Sequence, residues 1–599
     1  MPGSSHEQVA SILALMRTGR ASDAETACEQ MLVAACEAYR TGSDFRDVAG
    51  AAGAVEAVVQ VLRAHSRDPI LHLQGCTALD NLCANHERNC VRAGAAGAID
   101  TVLAVTQPTD ASDFAPETVV VMTSRPIKAL GHITVESAEH SAAAMAAGAL
   151  PRVLAAMRAH LSSLEMQCVG CLCLRGLVMK SDVSRTSAVR AGAIEDVLKA
   201  LSMHASDVEL SQGACFALHE LFFDADIDSD VHTRVHADAA MRAAIDTLHA
   251  HRVVADVQDA GCSLLYTLAG GSELVRTVAF TAGSVEAVMA ALRAHPGSAD
   301  VQYRGLHALG PLSQGNAPAV AAAGWVELVL TKMDAHVSVD KVQRGSCLAL
   351  TAFLQNEVEM SAAQLARGVA AVVRALREHF ASPQCLECGA CALNAFVIQS
   401  AESLAIVHDA GAVDALAAAL RMSERPGFLD EMEDKATFTF LACCSLTYLV
   451  SARSSLELRA MTAQDTAVRG GVLESIANTA QHLHEDAQVA EAQQMLLLFL
   501  DSAAQRHDGA LCAQAATCAR FAAARARGEM RALPSCGART RAPKEDGGAA
   551  KTRLLRCARC LKAVYCSAAH QKKDWAARHK AECRKPQGAG DGASGSAET

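Results

Sequence analysis

The chain has 599 residues, 51% hydrophobic and 20% charged, with a net charge of −11. That apolar content excludes a disordered chain, and without a run of about 18 uncharged apolar residues no membrane span is expected. Aromatic residues make up only 4%, and frequent Ala, Leu and Val favour closely packed helices over sheets.

The N-terminus lacks a basic start followed by an apolar core, so no secretory signal is expected. The 23 Cys are then expected in a reducing compartment, cytoplasmic or nuclear, as thiols or metal ligands. Residues 1–45 read as two helices, 7–17 and 22–39, split by Thr18-Gly19-Arg20. They form an expected N-terminal cap, because a helical array needs an end that covers its core.

From Ala52-Gly53-Ala54-Val55 onward a phrase recurs. It returns at Ala96-Gly97, Ala147-Gly148, Ala191-Gly192, weakly at Ala243-Ala244, and at Ala282-Gly283, Ala323-Gly324, Arg367-Gly368, Ala410-Gly411 and Gly470-Gly471. A period in the low forties predicts a helical solenoid over 46–505 of about nine units. Some twenty residues into each unit comes a second phrase, such as Gln74-Gly75-Cys76, Gln212-Gly213-Ala214-Cys215 or Gln343-Arg344-Gly345-Ser346-Cys347. Within it Cys and Leu recur at threes and fours, as in Cys215, Leu218, Leu221, which marks one buried helical stripe. Gly there lets helices approach closely, and Cys serves as a small apolar residue.

Together the phrases resemble the armadillo repeat, whose third helix lines a groove. The resemblance implies an all-α, armadillo-like solenoid, with HEAT repeats the nearest alternative. Relatives that bind peptides place an Asn late in the third helix. Asn81 matches it, whereas Gly176, Glu220, Thr267, Pro311 and Ala352 stand at the corresponding positions. An import-type grip on an extended basic peptide is therefore not expected, and the groove is left for a folded or helical partner. Residues 106–125, 224–238 and 423–435 are polar or acidic and read as loops; 506–530 reads as a helical linker.

The chemistry concentrates near the end. Cys557 and Cys560 form C-x2-C, Cys566 and His570 C-x3-H, and His579 and Cys583 H-x3-C. These are zinc-ligand spacings, and a helix would place His579 and Cys583 on one face. Six ligands exceed one tetrahedral ion, so two ions are implied. Tyr565-Cys566-Ser567, Gln571, Asp574-Trp575, His579-Lys580 and Cys583 resemble the MYND-type zinc finger, a cross-braced module binding two zinc ions. The resemblance implies one ion on Cys557, Cys560, His579 and Cys583, and another on Cys536, Cys566 and His570. The family's remaining ligand would fall at Leu533, which cannot coordinate; water, Glu545 or Cys518 could complete that site, or it could bind weakly. The finger is placed at 531–585, after which 586–599, Gly- and Ser-rich, read as disordered.

The finger implies protein partners, including proline-containing peptides, with Gln571 and Trp575 at the family's docking positions. Residues 520–585 hold 18 Lys+Arg against 5 Asp+Glu. Without interleaved aromatics, no nucleic-acid partner is expected. No phosphate-cradling loop or nucleophile elbow appears, the methyltransferase regions found beside some MYND fingers are lacking, and the ligand order departs from RING spacing. The expected function is a non-enzymatic, zinc-binding adaptor. The alternative is a regulatory or targeting subunit for chromatin, transcription or protein modification, with weak nucleic-acid contact through the basic finger.

Overall fold

The computed structural model describes residues 5–105, 114–135, 137–225, 227, 230–423, 435–450, 555–556 and 564–565. The expected unit at Gly470-Gly471, the linker 506–530 and the tail 586–599 lie outside them. The chain divides into two compact units, Met1–Gln314 and Gly315–Thr599.

The first unit opens with α1 (Ser5–Met16) and α2 (Ala21–Thr41). Repeats follow: α3 (Phe45–Ala51), α4 (Ala54–Ala64) and α5 (Pro69–Cys83); α6 (Glu87–Ala95), α7 (Ala98–Ala104) and α8 (Pro116–Val135); α9 (Ala138–Ala146), α10 (Ala149–Ala159) and α11 (Leu164–Val178); α12 (Asp182–Arg190), α13 (Ala193–Met203) and α14 (Val208–Phe222); α15 (Val231–Ala250) and α16 (Ala255–Gly271); α17 (Glu273–Thr281), α18 (Ser284–Ala294) and α19 (Ala299–Ser313). The second unit holds α20 (Ala317–Ala322), α21 (Trp325–Ala335) and α22 (Asp340–Gln355); α23 (Ala362–Glu378) and α24 (Pro383–Gln399); α25 (Ala401–Asp409), α26 (Ala412–Ser423) and α27 (Lys435–Val450). It also contains a two-stranded hairpin of β1 (Leu555–Arg556) and β2 (Val564–Tyr565).

Each unit is a stack of armadillo-like helical repeats in which last helices pack side by side: α2, α5, α8, α11, α14, α16 and α19 in the first, α22, α24 and α27 in the second. Because α2 stacks on α5 as later third helices do, the two opening helices form a repeat that lacks its first helix. Asp68, Ser163, Asp207, Ser298 and Ser382 start third helices by accepting hydrogen bonds from first-turn amides.

The recurring Gly is the joint between the first two helices. Gly53, Gly97, Gly148, Gly192, Gly283, Gly324 and Gly411 all take positive φ, between 72° and 88°, which an L side chain adopts only at a cost. Five of these lie twelve residues before the His that closes the second helix: Gly53/His65, Gly148/His160, Gly192/His204, Gly283/His295 and Gly324/His336. Counting back twelve from His251 and His379 reaches Ala239 and Arg367. There the helices run on without a joint, as the 20-residue α15 and the 17-residue α23. The phrases Ala243-Ala244 and Arg367-Gly368 are therefore not turns. Gly368 is helical and sits against Phe396.

Two expected loops also prove partly helical. Residues 116–125 belong to α8, which starts at Pro116 and carries the apolar run Val119-Val120-Val121-Met122; residues 231–238 belong to α15, capped by Asp230. In the second phrase, a Cβ on Gly75, Gly261, Gly305 or Gly389 would collide with Leu62, Leu248, Leu292 or Leu376 of the preceding helix. Those glycines thus seat a Leu, and the stripe cysteines Cys76, Cys215, Cys262 and Cys347 are fully buried. Burial pushes the Cys173 and Cys215 thiols up to about 12, so they act as apolar residues and not as reactive thiolates.

Candidate functional site

The described part of the zinc stretch is its hairpin. Leu555 pairs with Tyr565 and Arg556 with Val564, antiparallel. Cys536, Cys557, Cys560, Cys566, His570, His579, Cys583, Gln571 and Trp575 lie outside the described residues, as do Leu533, Glu545 and Cys518. The donor types, thiolate and imidazole at two- and three-residue spacing, fit zinc. Among the described residues no cluster of His, Cys, Asp or Glu could hold a metal.

The other candidate is the exposed face of the third-helix row in the first unit. Asn81 is half-buried and turns its amide onto the Leu32 carbonyl of α2, at 3.4 Å. Its neighbour Asp80, 2% exposed, bridges α5 to α8 through Lys128 at 3.3 Å and His132 at 3.2 Å. Burial pulls the His132 imidazole below its ordinary value, against the pull of Asp80.

Farther along, the positions matching Asn81 differ in role. Gly176 backs onto the Gly131 carbonyl. Glu220 is 9% exposed, and its carboxyl is raised by burial against the opposing charges of Arg175, Arg185 and Arg304. Thr267 is bonded to His219, whose pKa burial lowers to about 4. Around them Arg175 lies 4.6 Å over the Phe216 ring, and Tyr266 stacks on His307 at 3.9 Å. Arg304 lies 5.2 Å over Tyr303, 3.8 Å from Asp259. This polar and aromatic patch was not singled out from sequence. Its signal is the few aromatics, Phe216, Tyr266 and Tyr303, on successive third helices.

A repeated His-x6-Gln pair also escaped the sequence reading. Gln167, Gln258, Gln302 and Gln343 each donate to two carbonyls at the end of the preceding helix, for example Leu248 and His251 at 2.9 and 3.0 Å from Gln258. Rings of His204, His251 and His295 donate to the carbonyls of Leu161, Ala205 and Arg252, one repeat earlier, at 2.8–3.1 Å. These bonds satisfy helix-end carbonyls and tie the repeats together.

Comparison with known proteins bears on the first candidate. The MYND finger family model matches residues 535–583. Seven proposed ligands, Gln571 and Trp575 fall within that stretch; Leu533 falls outside it. The chain thus carries a MYND finger, a zinc-binding protein-interaction module. No curated protein matches the sequence. Among solved structures, one engineered protein is similar at 18% identity, covering 82% of this chain and 99% of its own, with a TM-score of 0.45. A chain from work on a phosphorylation switch controlling the interaction between cadherin and beta-catenin is similar at 13% identity, covering 84% and 92%, with a TM-score of 0.45.

Proposed function

We propose that this chain is a non-enzymatic adaptor of the cytoplasm or nucleus, with the repeat stack engaging one protein partner and the finger another. The observation that carries the reading is the finger itself: a 49-residue match whose donors flank a paired hairpin. Zinc, when bound, supplies folding free energy that so small a module cannot gain by burial. Two ions are favoured by the donor count, since the Cys and His of the stretch exceed the four places of one tetrahedral ion. Cys557, Cys560, His579 and Cys583 then hold one, and Cys536, Cys566 and His570 the other. Gln571 and Trp575 present the docking surface, with proline-containing peptides as its ligands.

The test is proximity labelling with the full chain and with Cys560→Ser, beside autoubiquitination and methyl-transfer assays. The expected result is that one set of neighbours disappears with Cys560→Ser, another stays, and neither assay responds. Transfer activity that vanishes in Cys560→Ser would overturn the adaptor reading in favour of an enzyme.

A further inference from the structure

The edge where third helices hand over to first helices changes character along the first unit. The second residue of a first helix stands in a capped first turn, where polar and acidic side chains are favoured. Arg88 of α6 and Glu139 of α9 hold that place, but α12 and α17 put Val183 and Leu274 there. Between them α14 ends beside Phe223, and α15 opens with Val231 and Val235 one turn apart. All five side chains are 44–78% exposed. Helix α15 packs against both α12 and α17, and Arg185 of α12 lies 5.4 Å over the Phe223 ring. The five therefore occupy neighbouring elements at one edge, off the third-helix row.

The surroundings of this patch are acidic. Residues 224–238 hold five Asp against one Arg, and Asp224 and Asp238 are exposed, as is Arg234. Asp182 opens α12 and Glu273 opens α17, both exposed. Other cations are engaged: Arg185 with the Glu220 carbonyl at 2.8 Å and Asp182 at 2.6 Å, and Arg276 with the Ala269 carbonyl at 3.0 Å. Grouped apolar exposure with a polar rim marks an interaction site. An acidic rim disfavours a second copy of the same face, nucleic acid and anionic lipid, and favours Lys and Arg. Three neighbouring helices about 8–10 Å apart span about 16–20 Å, the length of three to four helical turns.

We propose that this edge docks a basic amphipathic helix of a partner protein. Its apolar stripe lies across Val183, Phe223, Val231, Val235 and Leu274, and its Lys and Arg face Asp182, Asp224, Asp238 and Glu273. The proposal rests on the adaptor reading and names a face and a class of partner for the repeat stack.

The probe is a phage-displayed library of peptides of about 16 residues, with Leu at helical spacing and the other positions randomised among Lys, Arg, Asp, Glu and Gln, selected on the full chain. The selected peptides should be basic and should bind Cys560→Ser as they bind the wild type. Val235→Ser and Leu274→Ser should each weaken them at least tenfold in fluorescence anisotropy. Both side chains are exposed, so hydrogen exchange of α15 and α17 should stay unchanged in these variants. Asp224→Asn combined with Asp238→Asn should weaken binding at least threefold at low salt and flatten its salt dependence; Asn tolerates the positive φ of Asp224. With photoreactive benzoylphenylalanine in place of Val235 in the full chain, the segment crosslinked in cells should be a helix rich in Lys and Arg. Acidic or neutral binders, binders indifferent to Val235 and Leu274, no binders at all, or crosslinks to a second copy, to lipid or to nucleic acid would each overturn the docking proposal. The adaptor reading would then still stand or fall on the labelling experiment.

Discussion

A close backbone approach in the first unit joins α8 to α11, and it yields a sharp test. A Cβ on Gly131 would sit 3.2 Å from both the Cα and the N of Cys173, and 3.1 Å from Leu172 Cγ. One on Gly176 would sit 3.0 Å from the Gly131 carbonyl oxygen and 3.1 Å from the Val135 nitrogen. These neighbours are mainly backbone, so they cannot rotate aside. Gly→Ala inside a helix ordinarily gains about 1 kcal/mol, whereas overpacking costs about 1–3 kcal/mol. With backbone as the obstacle the upper half of that range applies, and Gly131→Ala should destabilise by about 1 kcal/mol net. Gly213 is the control: its added Cβ would meet only Cys171 Cβ, at an ordinary 3.7 Å, so Gly213→Ala should stabilise by up to about 1 kcal/mol. The two variants should then differ by about 2 kcal/mol, roughly a thirtyfold change in local opening. Hydrogen exchange of α8 and α14 peptides by mass spectrometry is the assay, because a chain of two units is not expected to unfold in one step. If Gly131→Ala leaves α8 exchange unchanged or slower, the close-approach argument is wrong.

Gln258→Leu strips two helix-end carbonyls of their donor and should cost about 1–3 kcal/mol, seen as faster exchange at the end of α15; unchanged exchange would remove the role given to the His-x6-Gln pair. His219 stays neutral in the fold, with a pKa of about 4 against an ordinary 6.5. Its contribution is therefore present above pH 6.5 and is lost as pH falls from 6.5 toward 4, where the unfolded chain takes up a proton the folded chain refuses. An His219 imidazole titrating near 6.5 by NMR would contradict this. Elemental analysis should find close to two zinc per chain, and a value of one would mean the site of Cys536 is empty. Leu533→Cys should then slow zinc loss to a chelator. If instead Arg539→Cys, within the matched stretch, does so while Leu533→Cys has no effect, Cys536 is the first member of its pair.

Much of this architecture was legible because a few residues have narrow uses. Gly at positive φ marks the joint between helices, and the Cys–Leu stripe marks the buried face. Composition misled at 116–125 and 231–238, where Pro116 and the Asp230 cap start helices within polar stretches. The phrase Arg367-Gly368 failed by one residue: the joint position belongs to Arg367, which continues the helix. Gln258 and His251 went unread because their acceptors are backbone carbonyls, which carry no sequence signal. The patch around Glu220 draws on four helices spaced some 45 residues apart, and only packing shows that they meet. The presence of the finger was readable from the spacing of its Cys and His pairs and the residues around them, since metal coordination constrains local chain geometry more tightly than apolar burial does.

The hairpin has a consequence of its own. Two paired residues per strand among the described residues are too few to sustain a β-ladder in water, so on the adaptor reading zinc must bind before the finger can dock a partner. The repeat stacks, built on buried Leu, Val, Ala and Cys, are subject to no such condition. On that reading, partners of the repeat stack would be held at any metal level, whereas those of the finger would depend on metal supply. A cell short of zinc would keep the protein at full abundance while silencing only its C-terminal conversation.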